Sequence, residues 1–221
     1  MQTDLFDNRN EVPPASPGPE RILLDRDGKS FVLLHRGFYP HQKADSLFER
    51  LSQEIPWRQD NIRIAGKTLP VPRLQAWFGD PGADYGYSGI RLTAQPFTST
   101  LTKIRQDTEQ LGNSAGAGKL RFNSLLANLY RDGSDGVGWH SDDEPELGIN
   151  PVIASVSFGG TRRFSLKPKD KSRRPLHIEL YHGDIMIMSG ETQHHWVHQV
   201  PKTRAAVPPR INLTFRKIHV K

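Results

Sequence analysis

The sequence contains no cysteine, only three methionines, and no apolar stretch approaching the roughly eighteen residues that span a bilayer. The missing thiol excludes a disulfide framework, thiolate zinc sites, iron–sulfur clusters and a cysteine nucleophile together, and fits a reducing compartment. The missing apolar stretch leaves no membrane partner to expect. The first twenty residues, MQTDLFDNRNEVPPASPGPE, lack the apolar core of a secretory signal and begin acidic. A soluble intracellular protein is expected, cytoplasmic, or nuclear in a eukaryote. Negative charge is in the minority. Against 24 Asp and Glu stand 30 Lys and Arg, a net charge of +6, which favours an anionic partner, most often nucleic acid.

A chain of 221 residues suits one domain with a tail. Residues 1–20 are polar and proline-rich and read as a flexible tail, leaving 21–221 as the domain. SFVLLHRGFY (30–39) reads as a first strand. HQKADSLFERLSQEI (41–55) spaces Ala44, Leu47, Phe48, Leu51 and Ile55 for one helix face, and 96–112 does so with Phe97, Leu101, Ile104, Thr108 and Leu111, Gly112 serving as stop. Beyond residue 120 come short β-prone runs punctuated by Gly, Pro and Asp, the pattern of an antiparallel sandwich, barrel or jelly roll. The expected class is α+β, helices early and a β-rich core late. GNSAGAGKL (112–120) imitates a phosphate loop, but Asn113 stands where its glycine belongs and Leu120 where Ser or Thr belongs.

In GWHSDDE, if the backbone is extended, His140 and Asp142 share one face while Ser141 and Asp143 point away. An imidazole and a carboxylate one pleat apart can occupy adjacent positions on a metal. The run QHHWVHQV offers a distant third ligand, with His194, Trp196 and His198 on one face if extended and His195 on the other. A His-X-Asp pair plus such a histidine is a facial triad, which leaves three positions open and suits non-haem Fe(II). The final run, PRINLTFRKI, sets Arg210, Asn212, Thr214 and Arg216 on one face and Ile211, Leu213 and Phe215 on the other. Inward guanidiniums are costly unless they meet anions. Asn128 and Tyr130 likewise share a face. Together these describe an anion slot beside an open-sided metal, suited to a dicarboxylate that chelates iron at one end and meets arginine at the other.

The series NLYRDG, GWHSDDE, IASVSFG, HGDIMIMSG, HWVHQVP and PRINLTFR resembles, in order, the AlkB family of Fe(II)- and 2-oxoglutarate-dependent dioxygenases, in its branch acting on alkylated nucleic acid. The likeness spans about residues 60–218 and is dense from 121. It implies a double-stranded β-helix, or jelly roll, at about 120–218 under a nucleotide-recognition lid at about 57–95. It implies His140, Asp142 and His198 as ligands of Fe(II). It puts Arg210 on the far carboxylate of 2-oxoglutarate, helped by Asn128, Tyr130 and Thr214, and Arg216 on the keto-acid end with Asn212 nearby. With O2, the expected reaction oxidises an N-alkyl group on bases such as 1-methyladenine and 3-methylcytosine and yields formaldehyde, succinate and CO2.

Such chemistry requires a base drawn out of its stack. By the same resemblance Tyr87 stacks on it, Tyr85 bonds beside it, and Asp143 and Glu144 face its cationic ring. Lys167, Lys169, Lys171, Arg173 and Arg174 form a basic tip suited to gripping phosphates. Ala65 stands at the turn where duplex-specific relatives carry a bulky wedge, and alanine wedges poorly. Single-stranded DNA, duplex DNA and RNA all stay open as partners, and a monomer is expected. The alternatives are a 2-oxoglutarate oxygenase of protein side chains, which leaves the basic tip without a role, and a non-catalytic nucleic-acid-binding module, which leaves the triad without one. A zinc hydrolase has no need of the paired arginines.

Overall fold

The computed structural model describes residues 13–64, 66–83, 85–87 and 90–219, without the side chains of 63, 64, 85–87 and 90–92. The chain runs β1 (Glu20–Leu23), β2 (Ser30–His35), α1 (His41–Glu54), β3 (Asn61–Ile64), β4 (Lys67–Pro70), β5 (Leu74–Gly79), β6 (Tyr85–Tyr87), β7 (Ile90–Leu92) and α2 (Ser99–Ser114). It continues as β8 (Ser124–Tyr130), β9 (Val137–His140), β10 (Ile153–Gly159), β11 (Arg162–Pro168), β12 (Leu176–Leu180), β13 (Ile185–Gly190), α3 (Thr192–His195), β14 (Trp196–Val200) and β15 (Arg210–Arg216). The major sheet has the order β1-β2-β13-β10-β15-β8-β5 and the minor sheet β12-β11-β14-β9, with β3-β4 and β6-β7 as separate hairpins. Every pairing within these sheets is antiparallel. The two large sheets form a jelly-roll core, and the class is α+β. Among the described residues no helix is long and apolar enough to cross a membrane.

Strands β2, β10 and β13 of the major sheet are buried on both faces, one against the helices and one against the minor sheet. In β2, Phe31 and Leu33 join the core under the helices, while Val32 and Leu34 join the core between the sheets. Helix α1 contributes Ala44, Leu47 and Leu51 to the helix-side core, and α2 contributes Leu101, Ile104 and Leu111. Strand β15 divides the same way: Ile211, Leu213 and Phe215 face the helices. Its polar residues therefore face the space between the sheets, where water is scarce and the minor sheet brings its histidines.

Two boundaries differ from the sequence reading. Gly112 does not end α2, which continues to Ser114 with Ala115 as its cap. A Cβ on Gly112 would lie 2.3 Å from the Leu120 side chain, so its glycine serves close packing rather than termination. Residues 192–195 form a helical turn instead of the start of a strand. Thr192 Oγ1 donates to Ser189 O at 2.6 Å and His194 N–H to Glu191 O at 3.0 Å. These local bonds hold His194 and His195 out in solvent, while Gln193, Trp196, His198 and Val200 of that run are buried.

Candidate metal and cosubstrate site

The loop between β8 and β9 aims the first histidine. Arg131 grips Asp135 through two nitrogens at 2.8 and 2.9 Å, closing the RDGSD turn on itself. Gly133 sits so near the 201–209 segment that a Cβ would stand 2.4 Å from Thr203 O. From this turn β9 enters the minor sheet and pairs His140 with His198 of β14. The two rings lie 4.3 Å apart, centre to centre. Asp142 lies beyond the end of β9, and its backbone N–H donates to Gln193 Oε1 at 3.0 Å. One ligand atom from each of His140, Asp142 and His198 then falls within 4.8 Å of the others.

The protonation of the three groups suits a metal. His140 Nδ1 donates to Gly138 O at 2.8 Å, which leaves a lone pair on Nε2. Burial pushes His198 down to about 3, so it is neutral; Phe164 stacks on it with ring centres 5.2 Å apart. Burial alone would raise Asp142, but Arg216 and the two imidazoles outweigh it and hold the carboxyl below its ordinary value. Asp142 Oδ1 accepts from Arg216 Nη2 at 2.7 Å, whereas its buried Oδ2 has no hydrogen-bond partner. An orphaned anionic oxygen beside two imidazoles is what a bound cation would satisfy.

The adjoining cavity is lined by Asn128, Tyr130, Asn212, Thr214 and Arg216 together with the triad. Asn212 Oδ1 accepts from Ser155 Oγ at 2.6 Å and Arg210 Nη2 at 2.9 Å, and Asn212 Nδ2 donates to Thr214 Oγ1 at 2.7 Å. Arg210 is 1% exposed, lies with its guanidinium 5.4 Å from the Tyr130 ring centre, and has no hydrogen-bond partner at Nε or Nη1. Three cavity contributors escaped the sequence reading. Gln193 anchors Asp142, Ser155 anchors Asn212, and Arg73 donates from Nε to Asn128 Oδ1 at 2.6 Å.

A family model described as the 2OG-Fe(II) oxygenase superfamily matches residues 31–216, which include every residue of this cavity. The chain belongs to that superfamily. Within it the chain groups with the AlkB homologues. It is 41% identical over 212 residues to "Alpha-ketoglutarate-dependent dioxygenase alkB homolog 3" of Bos taurus, covering 91% of this chain and 71% of that one. The human counterpart is 40% identical over 210 residues, with the same coverages. "DNA oxidative demethylase ALKBH2" of Mus musculus is 38% identical over 186 residues, covering 80% and 75%. The solved structure of OsALKBH1 shares the fold, with a TM-score of 0.57 at 20% identity over 84% of this chain and 96% of that one. This oxygenase thus uses Fe(II), 2-oxoglutarate and O2.

Outside the cavity the sequence-expected residues are scattered. Tyr85 and Tyr87 bound β6, but their side chains, like Ala65, lie outside the described residues. Asp143 is exposed and paired with Lys169 Nζ at 3.0 Å. Glu144 is half-buried, with Oε2 lacking a hydrogen-bond partner. Lys167 lies over the Trp139 ring, Arg173 Nη1 donates to Leu24 O at 2.6 Å, and Lys171 and Arg174 are exposed.

A second His–Asp–His group, His41, Asp45 and His182, also meets the 4.8 Å spacing. Its chemistry is opposite. The Gly159 N–H donates to His182 Nδ1 at 2.7 Å, so the proton sits on Nε2, which turns it toward Asp45 Oδ1 at 3.1 Å. A backbone carbonyl behind His140 exposes a lone pair, and a backbone amide behind His182 covers it. The oxygenase is therefore expected to bind one Fe(II) per chain. His41→Ala should leave that stoichiometry unchanged in metal analysis, and His140→Ala should lower it toward zero; half-occupancy after His41→Ala would refute the distinction.

Proposed function

We propose that this oxygenase removes N-linked methyl groups from bases such as 1-methyladenine and 3-methylcytosine in DNA, with RNA as a second acceptor, acting as a monomer. The observation that carries the chemistry is the pairing of an orphaned Asp142 Oδ2, flanked by two imidazoles, with an anion slot backed by Arg210. The substrate class rests on the identity to proteins named as alkB homolog and DNA oxidative demethylase, and on the +6 charge. Residues 21–221 act as one catalytic domain, with about 57–95 as lid over the core of about 120–218.

In this reading His140, Asp142 and His198 hold the iron. Arg210 takes the far carboxylate of 2-oxoglutarate with help from Asn128, Tyr130 and Thr214, and Arg216 with Asn212 attends the keto-acid end. Fe(II) held there would supply the oxidative chemistry, in which decarboxylation of 2-oxoglutarate by O2 to succinate and CO2 accompanies hydroxylation of the N-methyl carbon and its loss as formaldehyde from the restored base. The chain's own work is positional. Arg216 keeps Asp142 anionic and fixed, Gln193 aims its backbone, Phe164 orients His198, and Leu126, Ile153 and Met188 keep bulk water from the cavity. Tyr85, Tyr87, Asp143 and Glu144 are assigned to the base and the basic tip to the backbone.

Incubated with Fe(II), 2-oxoglutarate and an oligonucleotide bearing 3-methylcytosine, the protein should release equal amounts of formaldehyde and succinate. Succinate formed with a peptide but with no alkylated oligonucleotide would transfer the assignment to protein side chains. Running the same lesion in single-stranded DNA, duplex DNA and RNA ranks the acceptors.

A further inference from the structure

The minor sheet has a solvent face as well as an iron face. Across a register shift against β14, Val137 and His140 of β9 both line the cavity, whereas Trp139 between them is exposed. Of the four exposed large hydrophobic residues among those described, Trp139 is the only aromatic, and it is 37% exposed. Trp is seldom left in water without a use. Lys167 Nζ of β11 stands 4.2 Å from the centre of its ring. Positive charge continues from there toward the iron site. Lys169, two residues on, donates to Gln193 O at 3.0 Å and to Asp143, next to the ligand Asp142, also at 3.0 Å. Lys171 and Arg174 extend the strip into solvent.

We propose that Trp139 and Lys167 form a platform for one unpaired nucleotide flanking the base held at the iron, the base stacking on the indole and its phosphate taking the lysine ammonium. The inference rests on the nucleic-acid reading above. An exposed cation–π contact contributes less than stacking of a base on tryptophan, so exchange of the lysine from ring to phosphate favours the bound state. Trp139 adjoins the ligand His140 in β9, and the proposed occupant is a neighbour of the lesion on the same nucleic-acid strand. An aromatic face accepts a base only when that base is out of its helix, so the platform distinguishes single strands from duplex without contacting the lesion.

The test compares the full-length enzyme with Trp139→Ala, Trp139→Phe and Lys167→Gln. Two substrates are used, a single-stranded oligonucleotide carrying 3-methylcytosine and the 3-methylcytosine mononucleotide, which is too short to reach the platform. Trp139→Ala should raise KM for the oligonucleotide about tenfold and leave kcat within about twofold, with no change on the mononucleotide. Trp139→Phe should recover most of the loss, and Lys167→Gln should give a smaller rise that fades as salt increases. Equal losses on both substrates, or a fall in kcat at constant KM, would mean that Trp139 only supports His140 and would overturn the proposal. Unchanged kinetics would overturn it too. Fluorescence anisotropy of an unmodified labelled oligothymidylate keeps the two readings separable. If the wild-type enzyme demethylates but Trp139→Ala binds the probe equally well, the platform fails alone; if the wild type neither demethylates nor binds, the nucleic-acid reading fails with it.

Discussion

Asp142→Asn should abolish formaldehyde release, to below about a thousandth of wild type, while the protein still folds. The asparagine keeps the shape and the Oδ1 acceptor that Arg216 uses at 2.7 Å, but it lacks the charge and places an amide where Oδ2 now stands orphaned. Iron binding measured by metal analysis should fall with activity. Asp142→Ala should lose activity equally and be less stable as well, because breaking a buried ion pair costs about 3–5 kcal/mol. The two variants separate the ligand from the structural partner. The pH dependence has a definite sign. The folded-state pKa of Asp142 is depressed, so its contribution to stability is fully present above the unfolded value of about 4 and is lost as pH falls through the folded one. The stability gap between wild type and Asp142→Asn should therefore shrink on acidification below about pH 4 and stay constant toward neutrality. Turnover above a tenth of wild type in Asp142→Asn would remove Asp142 from the site.

The residues that the sequence made readable share one property: their relation is written in local spacing. Arg210, Asn212, Thr214 and Arg216 announce a face through a period of two, and Ile211, Leu213 and Phe215 announce the other; Asn212, Thr214 and Arg216 line the cavity, Arg210 is buried behind it on Asn212 and Ser157, and the apolar three face the helices. Asn128 and Tyr130 reached the cavity by the same rule. Gln193 and Arg73 carry no such mark, because their partners Asp142 and Asn128 are 51 and 55 positions away and only the fold brings them together. The histidines of QHHWVHQV show the rule failing locally. Two of them are lifted off the strand by a turn that Ser189, Glu191 and the Glu191 N–H bond to Lys29 O impose, and no periodicity of the run contains that information. The two His–Asp–His groups make the same point for chemistry. Their residue types and spacing match, and a single backbone group behind each ring decides which offers lone pairs.

Arg210→Met should raise KM for 2-oxoglutarate roughly a hundredfold or more, with a smaller effect on kcat at saturation, and should leave the cosubstrate-free protein at least as stable as wild type. The second half of that expectation is the sharper one. Arg210 is buried, Nε and Nη1 have no hydrogen-bond partner, and burial pushes its pKa down to about 10. Without an anion the guanidinium is held in a desolvated place with two bonds, to Ser157 Oγ and Asn212 Oδ1, both at 2.9 Å. Methionine of similar reach removes the desolvated charge and fills the space, and Asn212 Oδ1 keeps its bond from Ser155. A carboxylate delivered to Nε and Nη1 changes the balance, since a bidentate, charge-assisted pair in a dry cavity is among the stronger polar contacts a protein makes. Wild type should thus gain about 5–10 °C in melting temperature at a hundredfold excess of 2-oxoglutarate over its Kd, with a redox-inert divalent metal in place of Fe(II). Arg210→Met should gain almost nothing under the same conditions. A variant less stable than wild type without the cosubstrate, yet equally stabilised by it, would show that Arg210 is a structural residue and that the far carboxylate is held elsewhere.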